Sequence, residues 1–342
     1  MRVLPGFLAE VSPVMVAPMA GGPSTPTMVA AAAGAGHFAQ LAAGYRTATA
    51  MTEQIRELRR RGIERFGVNL FVPSPAQIGA SAYRAYAEAL QPTAQRLGVG
   101  PLPALLEDDD DWDAKIAALV DDPVPVVSFT FGLPNRSVLR QFQRVGTITM
   151  QTVTSAEEAA AAAEQGIDVL VVQGFAAGGH SGVWNPAALP VERPLEDLVH
   201  DVEAAASLPI VATGGLAGAA DIERILDNGA CAAAVGTAVL RAPESGASTV
   251  SKNALADPAF DRTVLTRAFT GRPARALVNS FIRDHDRAAP VGYPALHHLT
   301  KPIRAAGTAA LDPSVVNLWA GLGWRSASDH ALVQTLNQLL PR

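Results

Sequence analysis

The stretch GIDVLVVQGFAAGGHSG, residues 166–182, holds the side chain best suited to chemistry in this chain. His180 follows directly on Gly178-Gly179, and Gln173 stands where an apolar run ends. An imidazole is the side chain that gains and loses a proton most readily near neutral pH. Adjacent glycines let backbone approach a ligand closely, at a cost in chain entropy that a plain surface turn does not require. The chemistry expected is proton handling beside a closely held ligand.

A buried strand must position that loop. Ile167 to Val172 is β-branched and apolar, and Gly166 and Gly174 bound it. The same punctuation recurs along the chain. Short apolar runs at Val14–Ala17, His37–Ala42, Phe66–Phe71, Val124–Phe131, Gly146–Gln151, Asp168–Gln173, Pro209–Thr213 and Ala230–Val235 predict eight strands. Helices are expected between most of them. One opens at Ser24-Thr25-Pro26, since Ser or Thr before Pro is a strong helix start. Thr52 is expected to cap a charged amphipathic helix running to Arg61, and another helix is expected from Ala76 to Arg96. Residues 97–111 carry prolines and the acidic run Glu107 to Asp111; they are expected to be an exposed excursion without chemistry.

Strand–helix alternation implies a parallel sheet. Eight units over about 240 residues suit a closed (β/α)8 TIM barrel of the α/β class. An open dinucleotide-binding sheet would want GxGxxG after its first strand, and APMAGGPS is not one. The expected division is a barrel over residues 1–245 and a smaller, mostly helical portion over 246–342. That portion is expected to pack beside the barrel mouth, with a final helix near Asp329–Leu340 returning to the barrel wall.

Composition narrows the function. The 342 residues are 49% hydrophobic and 17% charged, which fits a globular enzyme with a large core. A net charge of −5 with no basic block excludes nucleic acid and anionic membrane as expected partners. Cys231 is the sole cysteine, so no disulfide framework or cysteine-rich metal site is expected. The N-terminus lacks the long apolar region of a signal peptide, and no uninterrupted apolar window suits a membrane span. A cytoplasmic location follows as the expectation.

In such a barrel the reactive groups lie at the C-terminal strand ends. Met19 and Ala20 stand there after strand one, Asn69 in strand three, Gln151 in strand five and Gln173 in strand six. Gly214 and Gly215 follow strand seven, and Gly236 and Thr237 follow strand eight. Glycines after the last two strands form the usual barrel phosphate site through backbone N–H groups. Asn69 and Gln173 can both donate and accept, which suits the edge of a heteroaromatic ring. Phosphate site, amides and one histidine together suggest flavin mononucleotide (FMN). No acidic cluster or histidine pair has metal-ligand spacing. His297-His298 point in different directions on a helix and are weighed as solvent or interface residues rather than ligands.

These residues resemble the nitronate monooxygenase family along nearly the whole chain. APMAGG at 17–22, FGVNLF at 66–71, VVQGFAAGGHSG at 171–182 and VATGGLAGAADIERILDNGACAAAVGTAVL at 211–240 are similar to its motifs. FTGRPARALVNSFI at 269–282, YPALHHLTKPIRAA at 293–306 and NLWAGLGWR at 317–325 resemble segments of its class I branch. The resemblance implies a TIM barrel with FMN that oxidises alkyl nitronates by O2 to carbonyl compounds and nitrite, with propionate 3-nitronate as substrate. It also implies that Asn69, Gln173, Gly178, Gly215 and the segment Ala234, Val235, Gly236, Thr237 hold FMN, and Gly179 is counted with them as a candidate cofactor-binding residue. His180 would be the catalytic residue, taking the α-proton of a nitroalkane or hydrogen-bonding a nitronate. The chain departs from the pattern at Phe175-Ala176 and at Leu322. A flavin-dependent NAD(P)H:quinone or enoyl-acyl-carrier-protein reductase shares the histidine loop and is the alternative.

Overall fold

The computed structural model describes residues 3–74 and 77–341. Eight parallel strands form one barrel-like sheet: β1 (Val14–Val16), β2 (Gln40–Ala42), β3 (Gly67–Phe71), β4 (Val126–Thr130), β5 (Ile148–Val153), β6 (Val169–Gln173), β8 (Ile210–Thr213) and β9 (Ala232–Val235). A two-residue strand, β7 (Gly179–His180), lies outside that sheet. Neighbours pair from β2 round to β9, and β9 pairs with β1. Val16 N donates to Phe38 O at 2.9 Å, bringing the two end strands together. The chain is a (β/α)8 barrel.

Strand parity separates two environments. In β6, Val169 and Val171 face the barrel interior with Met15, Phe38, Met150 and Val211. Leu170 and Val172 face the surrounding helices. Successive side chains of a strand take opposite faces, so both faces are apolar and the strands read as continuous apolar runs. Leu4 and Leu8, from the N-terminal turn, join the interior layer.

Helices follow the strands: α1 (Pro26–Gly34), α2 (Ala48–Arg60), α3 (Ala80–Arg96), α4 (Trp112–Asp121), α5 (Arg136–Arg144), α6 (Ala156–Gln165), α7 (Leu195–Ala205) and α8 (Ala219–Asp227). Thr25 caps α1 as expected, accepting from Met28 N at 3.0 Å. The cap of α2 is Thr47, not Thr52. The helix starts a turn earlier because Met51 can be buried in line with Ile55 and Leu58. Thr52 lies inside it, with its hydroxyl donating back to Ala48 O. The expected start of α3, Ala76, lies outside the described residues; the helix begins at Ala80.

Beyond β9 the chain forms α9 (Thr249–Ala256), β10 (Thr263–Thr266), β11 (Ala274–Leu277), α10 (Ser280–His285), α11 (Ala295–Ala309) and α12 (Leu332–Gln338). The hairpin β10–β11 was not foreseen among the helices. It matters because β11 pairs antiparallel with β7, placing Ala274 opposite His180. Phe269, Phe281, Leu296 and Leu299 share a second core with Tyr86 and Leu90 of α3. Leu332 and Leu336 of α12 belong to the core between strands and helices.

The acidic excursion is mostly exposed, yet its carboxylates are tied down, contrary to the expectation of an idle segment. Glu107 Oε1 accepts from Ile78 N at 3.2 Å, and Asp108 Oδ2 lies 2.6 Å from His298 Nε2. Asp111 Oδ2 accepts from Ala48 N at 3.0 Å. No helix of the described residues is long and apolar enough to cross a membrane.

Candidate active site

A cavity of about 490 Å³ opens at the C-terminal ends of the barrel strands. Met19, Ala20, Asn69, Gln173, Gly178, Gly179, His180, Gly214, Gly215, Ala234, Val235, Gly236 and Thr237 all line it. The fold thus gathers residues far apart in sequence at one place. No Asp or Glu lines it among the described residues.

His180 is held by strand pairing rather than by a free loop. Its backbone sits in β7 against β11. Its Nε2 lies 2.9 Å from Thr270 Oγ1. The rings of Trp319, Phe131 and Tyr293 surround it at 5.3, 5.6 and 6.0 Å between centroids. Burial, with the Arg272 and Arg304 guanidinium groups nearby, pushes the imidazole down to about 3. His180 is therefore neutral at physiological pH and presents one acceptor nitrogen and one N–H donor.

Gln173 braces this loop. Its Oε1 accepts from Gly182 N at 2.6 Å and its Nε2 donates to His180 O at 3.3 Å. Asn69 donates from Nδ2 to Ser128 Oγ at 2.9 Å and Thr130 Oγ1 at 3.1 Å. What Asn69 offers the cavity is its carbonyl oxygen, an acceptor. Gln151 does not reach the cavity, a correction to its place among the strand-end groups. Its Nε2 donates instead to Gly132 O and Thr152 O, while Met150 and Thr152 line the cavity.

The glycine end is closely packed. Gly214 and Gly215 have φ of +113° and +79°, a conformation open to glycine and strained for other residues. A Cβ on Gly178 would sit 2.4 Å from Gly321 N and 2.8 Å from Thr237 Oγ1. Thr237 Oγ1 accepts from Gly321 N at 3.0 Å, so the segment around Trp319 closes over the strand-eight glycine turn.

More of the wall comes from Tyr45, Lys301, Arg304, Asn317 and Trp319, which sequence reasoning did not single out, and from His297, which it weighed as a solvent or interface residue. His297 is a correction, since it is buried and not a surface residue. Its ring stacks on Tyr45 with centroids 3.9 Å apart. His298 does turn away, toward Asp108. Arg304 donates to His297 O at 2.8 Å, Thr300 Oγ1 at 3.1 Å and Asn317 Oδ1 at 3.4 Å. None of these partners is a carboxylate. Burial pulls its guanidinium down to about 10. Arg272 is also buried, stacked over Phe131 at 4.0 Å with Nη2 donating to Val183 O. Leu322, the departure from the family pattern, is half-exposed and does not line the cavity.

Comparison with known proteins gives the family. A family model described as nitronate monooxygenase matches residues 6–341. A nitronate monooxygenase of Pseudomonas aeruginosa is 34% identical over 340 residues, covering 96% of this chain and 95% of the relative. One from Paraburkholderia phytofirmans is 33% identical over 327 residues, covering 94% and 89%. Among solved structures, a nitroalkane oxidase from Streptomyces ansochromogenes is 43% identical with a TM-score of 0.91, covering 96% and 95%. FabK from Thermotoga maritima, at 22% identity and a TM-score of 0.74 over 96% and 92%, shares the fold. The chain is an oxidoreductase and belongs to the nitronate monooxygenase family.

Proposed function

We propose that this enzyme oxidises alkyl nitronates with O2 to a carbonyl compound and nitrite, with FMN as cofactor and propionate 3-nitronate as substrate. The observation that carries the proposal is the charge of the cavity. Its wall holds Lys301 and Arg304, a neutral His180 and no carboxylate among the described residues. Such a wall favours a bound anion, because two cations face it and no like charge opposes it.

The residues fit FMN. Backbone amides at Gly214, Gly215, Gly236 and Thr237 stand at the ends of β8 and β9, where a phosphate would lie. Asn69 supplies an acceptor for a ring N–H. When bound, the flavin supplies the electron transfer that no side chain here can perform. The protein's part is to bind, orient and desolvate. Trp319, Phe131 and Tyr293 exclude water around His180. His180 hydrogen-bonds the nitronate group, or takes the α-proton when a neutral nitroalkane enters. Arg304 and Lys301 receive the far carboxylate of propionate 3-nitronate.

The test is to mix the purified protein, without O2, with propionate 3-nitronate and separately with NADH, following flavin absorbance. A response to the nitronate alone, and nitrite release once O2 is admitted, is the expected result. Bleaching by NADH with silence toward nitronate would move the enzyme to the reductases.

A further inference from the structure

One buried ion pair lies just outside the cavity, in the acidic run that sequence reasoning left idle. Asp110 Oδ2 meets Lys115 Nζ at 2.8 Å, and the Lys115 side chain is 1% exposed. The two partners grip one short loop from both ends. Lys115 Nζ donates to Ala43 O at 3.0 Å, and Asp110 Oδ1 accepts from Tyr45 N at 2.9 Å. Tyr45 between them has φ of +67°, a conformation costly for a residue with a side chain. Asp110 and Asp111 are left-handed too, at +59° and +57°. Strain at three non-glycine residues around one ion pair persists only where the surroundings hold it. The result of that strain is the Tyr45 ring, laid flat on His297 in the cavity wall with the planes 1° apart.

We infer that Asp110 is a positioning residue for substrate: with Lys115 it clamps the Ala43–Tyr45 loop so that Tyr45 and His297 form a fixed part of the cavity wall. The inference rests on the nitronate reading for its substrate, though the clamp itself does not. Asp110 does not line the cavity, so it acts through Tyr45.

The charge of the clamp is sensitive to pH. Burial raises the Asp110 carboxyl to about 6, against the opposing pull of Lys115. The other charged and titratable groups facing it are Asp108 in its own segment and the phenols of Tyr45 and Tyr293. A carboxyl raised in the clamped loop holds its proton more tightly there than a released, solvated one would, so a fall in pH through that value does not open the clamp; it removes a negative charge beside a cationic cavity. Neutralising that carboxylate tightens anion binding, whereas removing the clamp by substitution weakens it.

The experiment uses the holoenzyme with nitrate, a planar oxyanion of the size of the nitronate group, titrated by calorimetry from about pH 5 to about pH 8. KM and kcat for propionate 3-nitronate are measured alongside. Wild type is expected to bind nitrate more tightly below the step near pH 6 than above it. Asp110→Ala is expected to raise KM by about ten-fold at neutral pH, with kcat little changed. Asp110→Asn, which keeps an acceptor for Tyr45 N, is expected to be intermediate and to lose the step. If Asp110→Ala does not fold, Asp110→Asn with Lys115→Met removes the pair without leaving a buried charge, and its profile is expected to be flat. Variants with unchanged KM and with wild-type nitrate affinity at neutral pH would overturn the inference. Failure of wild type to turn over the nitronate would sink the function while leaving the nitrate titration as the test of the clamp.

Discussion

His180 Nε2 lies 2.9 Å from Thr270 Oγ1, and the same hydroxyl lies 3.4 Å from Arg272 O, to which it can donate. If the threonine hydrogen goes to that carbonyl, Nε2 carries the imidazole proton and Nδ1 is the basic nitrogen. Thr270 is buried, at 1% exposure, so water does not compete for the role. The prediction is that Thr270→Val lowers turnover of neutral nitroalkanes by about five-fold, the worth of one ordinary hydrogen bond, and affects nitronates less. Steady-state rates on both substrate forms check it. Equal losses would mean that the hydroxyl only supports packing.

His180 itself should separate the two substrate forms more sharply. His180→Asn keeps a hydrogen-bonding group but removes the base. Loss of about a hundred-fold or more is expected on nitroalkanes, and a smaller loss on preformed nitronates, which need no deprotonation. There is also a stability consequence. The folded imidazole titrates at about 3, below its ordinary 6.5. The unfolded chain therefore takes up a proton in that window and the folded chain does not. The stability tied to His180 is complete above 6.5 and is lost as pH falls toward 3. Thermal melts of wild type between about pH 4 and about pH 7 should show a steeper acid decline than those of His180→Asn.

What could be read from sequence follows from the reach of its signals. The barrel was legible because each strand is a short apolar run followed by a strand-end glycine or polar residue, as at Thr213-Gly214 and Val235-Gly236. The residues of that face, from Met19 to Thr237, line one cavity as expected. Gln151 failed by one position of parity: Met150 and Thr152 take the interior face, so Gln151 takes the other. His297 failed because nothing local shows that α11 crosses the barrel mouth. Its partner Tyr45 lies far away in sequence, and tertiary contact alone brings the rings together. The acidic run was misread for the same reason, since charge runs are usually solvated and only the fold delivers Tyr45 N–H and Lys115 to Asp110.

The glycine end offers a test of cofactor retention independent of turnover. Gly215 has φ of +79°, and a Cβ there would lie 2.6 Å from Ala176 Cβ. Gly215→Ala must therefore displace the 174–177 turn as well as adopt a disfavoured backbone, at a cost of about 1–3 kcal/mol. The variant is expected to purify with less flavin per chain than wild type, measured by the ratio of flavin to protein absorbance. Undiminished flavin would show that the phosphate is held elsewhere.

Arg304 is predicted to set which nitronate is preferred. Its donors end on His297 O, Thr300 Oγ1 and Asn317 Oδ1, neutral acceptors that leave its charge uncompensated beside the cavity. A substrate carboxylate placed there gains a charge-assisted hydrogen bond, worth about 1.5–3 kcal/mol. Arg304→Met is then expected to raise KM for propionate 3-nitronate by about ten- to a hundred-fold, and to leave KM for the nitronate of 2-nitropropane, which has no carboxylate, nearly unchanged. Arg304→Lys should recover part of the loss, because it restores the charge without the planar donor fork. The comparison of the two substrates is what matters. A variant that merely loosens α11 would raise KM for both alike, whereas a carboxylate site raises it for one.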